Sequence, residues 1–141
     1  MTNQAFLSSL LKTTQIGQVE IRSILDTVMA PTLRTTLQSQ LREYDAIETE
    51  VLTIALQRGW DLAQMDIGHR FLTDRMTRMR LNRRATDSGI ADIMIQSNTK
   101  SMIKGLRNLH RFQEDDPQIR IVSQKILDCE TANIHHLKQY L

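Results

Sequence analysis

The sequence has little proline and glycine, with two Pro and five Gly among 141 residues. Both residue types fall far below their average use, and turn-rich β architectures depend on them most. Their scarcity argues against a β-sandwich or barrel and favours long uninterrupted helices. A chain of this length suits one domain with a sizeable hydrophobic core, so we expect a single all-α domain over residues 1–141.

Cysteine is represented by Cys129 alone. A single thiol excludes an intramolecular disulfide framework and is compatible with a reducing compartment. Residues 1–11 lack the basic residues and the long apolar core of a secretory signal, and no apolar run elsewhere has the length of a membrane span. From these absences we expect a cytoplasmic protein without a membrane partner.

The motifs of common enzyme classes are also missing. The chain has no Gly-x-Ser-x-Gly, no phosphate-binding glycine loop and no dinucleotide fingerprint. Cys129 has no base beside it, so a buried small residue is its default interpretation. The four histidines have no second ligand at metal spacing and are expected at the surface or at helix ends. These observations argue against an enzyme.

Apolar residues recur at three- and four-residue spacings in four long segments. Pro31, Gly59, and Asp115 or Asp116 with Pro117 mark boundaries between helices, because proline suits a first turn and glycine a C-terminal cap. A shorter helix is expected in the long connection between the second and third segments, since long structureless loops are uncommon. The expected helices cover about 3–29, 32–58, 66–81, 88–112 and 116–140.

Two helical hairpins joined by a long connection form the topology of ferritin-like bundles. The segments Ile-Ala-Asp-Ile-Met-Ile-Gln-Ser-Asn-Thr-Lys-Ser-Met-Ile from Ile90 and Glu-Thr-Ala-Asn-Ile-His-His-Leu-Lys-Gln-Tyr-Leu from Glu130 resemble ferritin-like proteins of Firmicutes-type bacteria. The resemblance implies an up-down-down-up four-helix bundle whose crossover carries a short extra helix. It implies a fold more than an activity, because the wider superfamily includes iron-storage proteins, oxidases and members that bind no metal.

One carboxylate interrupts the apolar stripe of the last helix, where Glu130 falls on the same face as Leu127 and Leu137. A polar layer at this depth suits a metal pair or the remnant of one. The ferritin-like metal site needs a Glu on two helices and Glu-x-x-His on the other two. Neither Glu-x-x-His occurs here, since the residue three positions after Glu130 is Asn133. We therefore favour a remnant layer without a cofactor.

Candidate metal ligands can still be named from their depth along the helices. Glu20, Glu48 and Glu130 are the carboxylates at comparable depth, and Gln96 and Asn98 add amide oxygens. Such an oxygen-rich set suits a hard cation or manganese better than a histidine-dependent di-iron centre. The alternative to a remnant layer is therefore a site for iron or manganese.

Arginines crowd the crossover, and five of them form a candidate interaction surface: Arg75, Arg78, Arg80, Arg83 and Arg84. Their charge suits an acidic protein or a nucleic-acid phosphate. The net charge of +2 and the aromatic content of 4% argue against nucleic acid. Met76 and Met79 between these arginines suit packing over the bundle or into a second subunit.

From the sequence we predict a non-enzymatic, self-associating interaction or structural protein that forms a homodimer. The alternative is a carboxylate-rich protein that binds iron or manganese in a storage or redox role. An acidic protein partner at the arginine-rich crossover is compatible with either.

Overall fold

The computed structural model describes residues 1–141 and contains helices but no β-strand. The expected all-α class is confirmed. Five α-helices are followed by one turn of 3-10 helix at Lys138–Tyr140. The α-helices are α1 (Asn3–Leu25), α2 (Pro31–Arg58), α3 (Ile67–Arg83), α4 (Asp87–Arg111) and α5 (Pro117–Leu137). None of them is both long enough and apolar enough to cross a membrane.

Local cap signals account for most helix boundaries. Side chains of four N-cap residues accept hydrogen bonds from backbone N–H groups in the first turns of α1, α3, α4 and α5. They are Thr2, Asp66, Thr86 and Asp116. Gly59 ends α2 in the left-handed conformation at φ 68°, as predicted for a C-terminal glycine.

The end of α1 differs from the expectation, because the helix stops at Leu25 and not near Met29. The Arg34 guanidinium donates to the carbonyl oxygens of Leu25 at 2.7 Å and Thr27 at 2.8 Å. The first bond satisfies the Leu25 carbonyl, which a continued helix would have bonded to the Met29 N–H. The second satisfies the Thr27 carbonyl, whose helical partner would be Pro31, a residue without an N–H. A side chain from the next helix therefore holds the turn.

Interhelical contacts define the direction of each helix. α1 packs against α2, and α4 packs against α5. Asn108 near the end of α4 donates to Ser9 near the start of α1 at 2.7 Å, so these two helices are antiparallel. Arg58 at the end of α2 bonds Asp116 at the start of α5, which makes that pair antiparallel too. α3 packs mainly on α1.

Two separate apolar clusters fill the interior. The first joins the start of α1, the end of α2 and the start of α5, and includes Phe6, Val51 and Ile119. The second joins the end of α1, the start of α2 and the start of α4, and includes Ile24 and Ile90. Buried polar side chains lie between these clusters along α1, α4 and α5. This polar layer is the first candidate site.

Candidate functional site

Glu130 is a buried carboxylate of the layer that has no hydrogen-bond partner. It is 1% exposed, and neither of its carboxylate oxygens has a hydrogen-bond partner. Burial raises the pKa of Glu130 to about 7, and repulsion from Glu20 adds to this rise. The nearby Ser101 hydroxyl lowers the pKa in part, but this buried hydroxyl also lacks a well-formed hydrogen bond. The layer therefore holds a carboxyl group that is poorly compensated when it is ionised.

Glu20 on α1 supplies the second carboxylate of the layer. It is 7% exposed and accepts a hydrogen bond of 2.5 Å from the Ser97 hydroxyl on α4. Burial raises the pKa of Glu20, while the Ser97 bond and the positive charges of Arg80 and Lys100 lower it. Glu20 thus has a hydrogen-bond donor and favourable cations that Glu130 lacks, and a negative charge on Glu20 raises the pKa of Glu130.

Tyr44 on α2 borders the polar layer together with Glu20 on α1 and Glu130 on α5. Its ring lies against the α1 backbone at Gly17, where an added Cβ would come within 2.8 Å of a ring carbon. The Tyr44 hydroxyl donates to Asn98 Oδ1 at 3.3 Å, and the Asn98 amide donates to the carbonyl of Met94 at 2.8 Å. Burial and nearby acids raise the pKa of Tyr44 well above its ordinary value. The phenol therefore contributes a neutral hydrogen-bonding group.

Cys129 and Asn133 lie beside the layer on α5. The Cys129 thiol donates to Glu43 Oε2 at 2.8 Å, and Asn133 Nδ2 donates to the thiol sulfur at 3.6 Å. Burial and the Glu43 carboxylate raise the pKa of this thiol far above its ordinary value. The thiol is thus held protonated, which opposes nucleophilic chemistry at this position.

The three candidate metal ligands do not form one cluster. Glu20 and Glu130 share the layer, whereas Glu48 accepts hydrogen bonds from Gln15 at 3.2 Å and Gln18 at 3.3 Å between α1 and α2. Gln96 faces outward and donates to Asp92 on its own helix. No group of three or more His, Cys, Asp and Glu side chains is arranged to hold a metal ion.

The outer face of α3 forms a second candidate site. Only Thr77 and Leu81 of this helix are buried. Four large apolar side chains of α3 are between 55% and 64% exposed, namely Phe71, Leu72, Met76 and Met79. We call these four residues, together with the arginines among them, the α3 face.

The five arginines of the crossover divide into two groups. Arg78 pairs with Asp26 and Asp74, and Arg84 pairs with Asp92. The other three are exposed and take part in none of the ion pairs of the protein: Arg75, Arg80 and Arg83. The Arg75 guanidinium lies over the Phe71 ring, 5.7 Å from its centroid. The three unpaired arginines leave positive charge beside exposed apolar surface.

Sequence reasoning missed several residues that define these sites. Ser97 and Ser101 border the two carboxylates, but a serine inside a helix carries no signal of its neighbours. Phe71 and Leu72 were not among the predicted site residues, although two adjacent large apolar residues beside Arg75 could have indicated an exposed apolar surface on a short polar helix.

No protein-family model, curated protein or solved structure matches this chain.

Proposed function

We propose that the protein is a non-catalytic, ferritin-like helical interaction protein that binds an acidic protein partner through the α3 face. The observation that carries the proposal is the composition of this face. Monomeric proteins seldom expose several large apolar side chains together, and such patches mark interaction sites. Phe71, Leu72, Met76 and Met79 form such a group on one helix.

The helix directions support the ferritin-like part of the proposal. α1 is antiparallel to both α2 and α4, so α2 and α4 point the same way, and α5 returns along α2. This order is up-down-down-up, and it requires the long connection between Arg58 and Asp87 that carries α3. In this arrangement α3 lies outside the four long helices and is free to present a surface.

The positive charges of the α3 face favour a partner surface that carries negative charge. Arg75, Arg80 and Arg83 are exposed beside the apolar group and form no ion pair within the protein, although Arg75 acts at longer range on Asp74 and Arg80 on Glu20. A partner surface with carboxylates around apolar side chains would cover the apolar group and pair these cations. Neighbouring Arg78 is already neutralised by Asp26 and Asp74. The free charge is therefore concentrated where the apolar surface is exposed.

A second copy of the chain is the alternative partner for the α3 face, since the sequence predicts a homodimer. In a two-fold symmetric dimer the same patch meets itself. Contact through the α3 face would then bring Arg75, Arg80 and Arg83 of both copies together, and like charges oppose such a contact. Nucleic acid is a poorer fit, because α3 has no Tyr or Trp and its single Phe, Phe71, already has its ring beneath Arg75.

A labelled helical peptide with Glu and Leu on one face is a suitable probe, with binding followed by fluorescence anisotropy. We expect saturable binding that weakens with added salt. The double variant Arg75→Glu/Arg83→Glu should weaken binding by about tenfold or more. The matched control Arg42→Glu/Arg107→Glu makes the same charge change at exposed positions outside α3 and should bind like the wild type.

Two other results would redirect the proposal. Equal losses in both double variants would show that net charge, and not the α3 face, attracts the peptide. Sedimentation equilibrium tests the second copy, since a dimer that dissociates in Met76→Glu would assign the face to self-association. Tighter binding of single-stranded RNA than of the peptide, lost in Arg75→Glu/Arg83→Glu, would favour phosphate recognition.

The alternative function, iron or manganese binding, draws on the unpartnered Glu130 carboxylate. Glu20, Ser101 and Asn98 would add oxygen donors, and this set suits manganese better than a histidine-dependent iron centre. The geometry supports it less, because Glu48 lies outside the layer and no third carboxylate replaces it. Elemental analysis after loading with each metal tests this alternative. Stoichiometric metal that is lost in Glu130→Gln and retained in Glu48→Gln would favour it.

A further inference from the structure

The Glu130 carboxyl group is buried in the polar layer between the two apolar clusters. It is 1% exposed, and neither oxygen receives a hydrogen bond of normal geometry, although the nearby Ser101 hydroxyl lowers its pKa in part. Apolar clusters lie towards both ends of the molecule from it. An ionised carboxylate in such surroundings is costly unless it is paired, whereas a neutral carboxylic acid is tolerated.

The charged and titratable groups around Glu130 come from every helix that packs near it. α1 contributes Glu20, and α2 contributes Tyr44, while Glu43 of α2 accepts the hydrogen bond of the Cys129 thiol. Arg80 of α3 and Lys100 of α4 act on Glu20, and Glu130 takes part in none of the ion pairs of the protein. The remaining neighbour is Cys129 on α5 itself.

These neighbours offer Glu130 no direct counter-charge. The phenol of Tyr44 and the thiol of Cys129 stay neutral at ordinary pH, because burial raises the pKa of both. Glu20 is itself an acid, so its ionisation makes that of Glu130 harder. Protonation of Glu130 is therefore the simplest way to remove the negative charge from this site.

We infer that Glu130, with Glu20, forms a pH-sensitive switch within the fold. As a neutral acid, Glu130 completes the packing between the two apolar clusters. When it releases its proton to water, the resulting carboxylate requires solvation, and water entering the layer weakens the packing of α5 against α1 and α4. The inference concerns the interior and does not depend on what binds the α3 face.

The size of the effect follows from the two titrations. Glu130 titrates at about 7 in the folded protein and at the ordinary 4.5 when unfolded. Between pH 4.5 and 7 the folded state binds more protons, so stability falls as pH rises across this window. From about pH 5 to about pH 8 the unfolding equilibrium constant should increase about 70-fold through this group alone.

Carbon-detected NMR of side-chain carboxyl groups on the wild-type protein tests the switch directly. We expect the Glu130 resonance to titrate near neutral pH and its midpoint to fall in Glu20→Gln, where the repelling charge is absent. Amide hydrogen exchange in α5 should accelerate above neutral pH beyond intrinsic base catalysis in the wild type, but not in Glu130→Gln. Glu48→Gln is the matched control and should keep the wild-type response.

The inference fails if Glu130 titrates at the ordinary pKa of a glutamate. It also fails if Glu130→Gln keeps the same pH-dependent exchange in α5 as the wild type. The NMR titration needs no variant, so the test holds even where a substitution in the layer prevents folding.

Discussion

Replacing Glu130 with leucine should stabilise the protein, and the gain should be larger at high pH. At about pH 5 leucine removes a buried carboxylic acid without hydrogen bonds, which is worth about 1 to 3 kcal/mol. Raising the pH to about 8 ionises Glu130 in the wild type at a pKa of about 7, against 4.5 when unfolded. Ionisation lowers the free energy of unfolding of the wild type by about 2.5 kcal/mol, and the leucine variant does not lose this amount. The stabilisation should therefore grow by that amount between the two pH values.

Urea unfolding followed by far-UV circular dichroism at both pH values measures this difference. Glu48→Leu is the control, because it removes a carboxylate that Gln15 and Gln18 already satisfy, and it should stabilise the protein at neither pH. Equal stabilisation by Glu130→Leu at both pH values would refute the reasoning about ionisation. A large loss of stability at both would show that Glu130 takes part in a structural hydrogen-bond network.

Two further substitutions test the packing around the layer. Gly17→Ala places a Cβ 2.8 Å from the Tyr44 ring and should cost about 1 to 3 kcal/mol despite better helix propensity. In Gly105→Ala the added Cβ would lie 3.5 Å from its nearest neighbour, Leu127, so this variant should instead be stabilised by up to about 1 kcal/mol through better helix propensity. Urea unfolding of both variants separates the effect of a steric clash from that of helix propensity. The Cys129 thiol should react with iodoacetamide much more slowly in the folded protein than in the unfolded protein, because burial and Glu43 raise the pKa of the thiol. Glu43→Gln should accelerate that reaction, and equal rates before and after unfolding would contradict the account.

Most of the helical structure could be predicted from local patterns. Gly59 ends α2 and Asp116 caps α5 because both signals act within one turn of the chain. The end of α1 could not be predicted in this way. Arg34, a side chain from the next helix, bonds the carbonyl of Leu25 at the helix end and that of Thr27 in the turn, whereas the apolar spacing continues to Val28. Val28 itself is 90% exposed.

The candidate site was predictable in part. Glu130 could be placed inside because its helix has one apolar face, and an inward position needs only the helical period. Glu48 shared that apparent depth, yet it bonds Gln15 and Gln18 between two helices and lies apart from Glu20 and Glu130. Depth along one helix does not determine which neighbour a side chain meets, because that depends on the rotation of both helices.

The sequence by itself determined the helical class, most helix boundaries and the presence of a carboxylate on an inward face. These properties depend on composition, caps and the helical period, which act over a few residues. Only the tertiary structure decided that Glu20 joins Glu130 in the layer, that Glu48 does not, and which arginines of α3 are neutralised. Those outcomes depend on contacts between residues far apart in the chain, such as Ser97 with Glu20, and the packing of whole helices sets them.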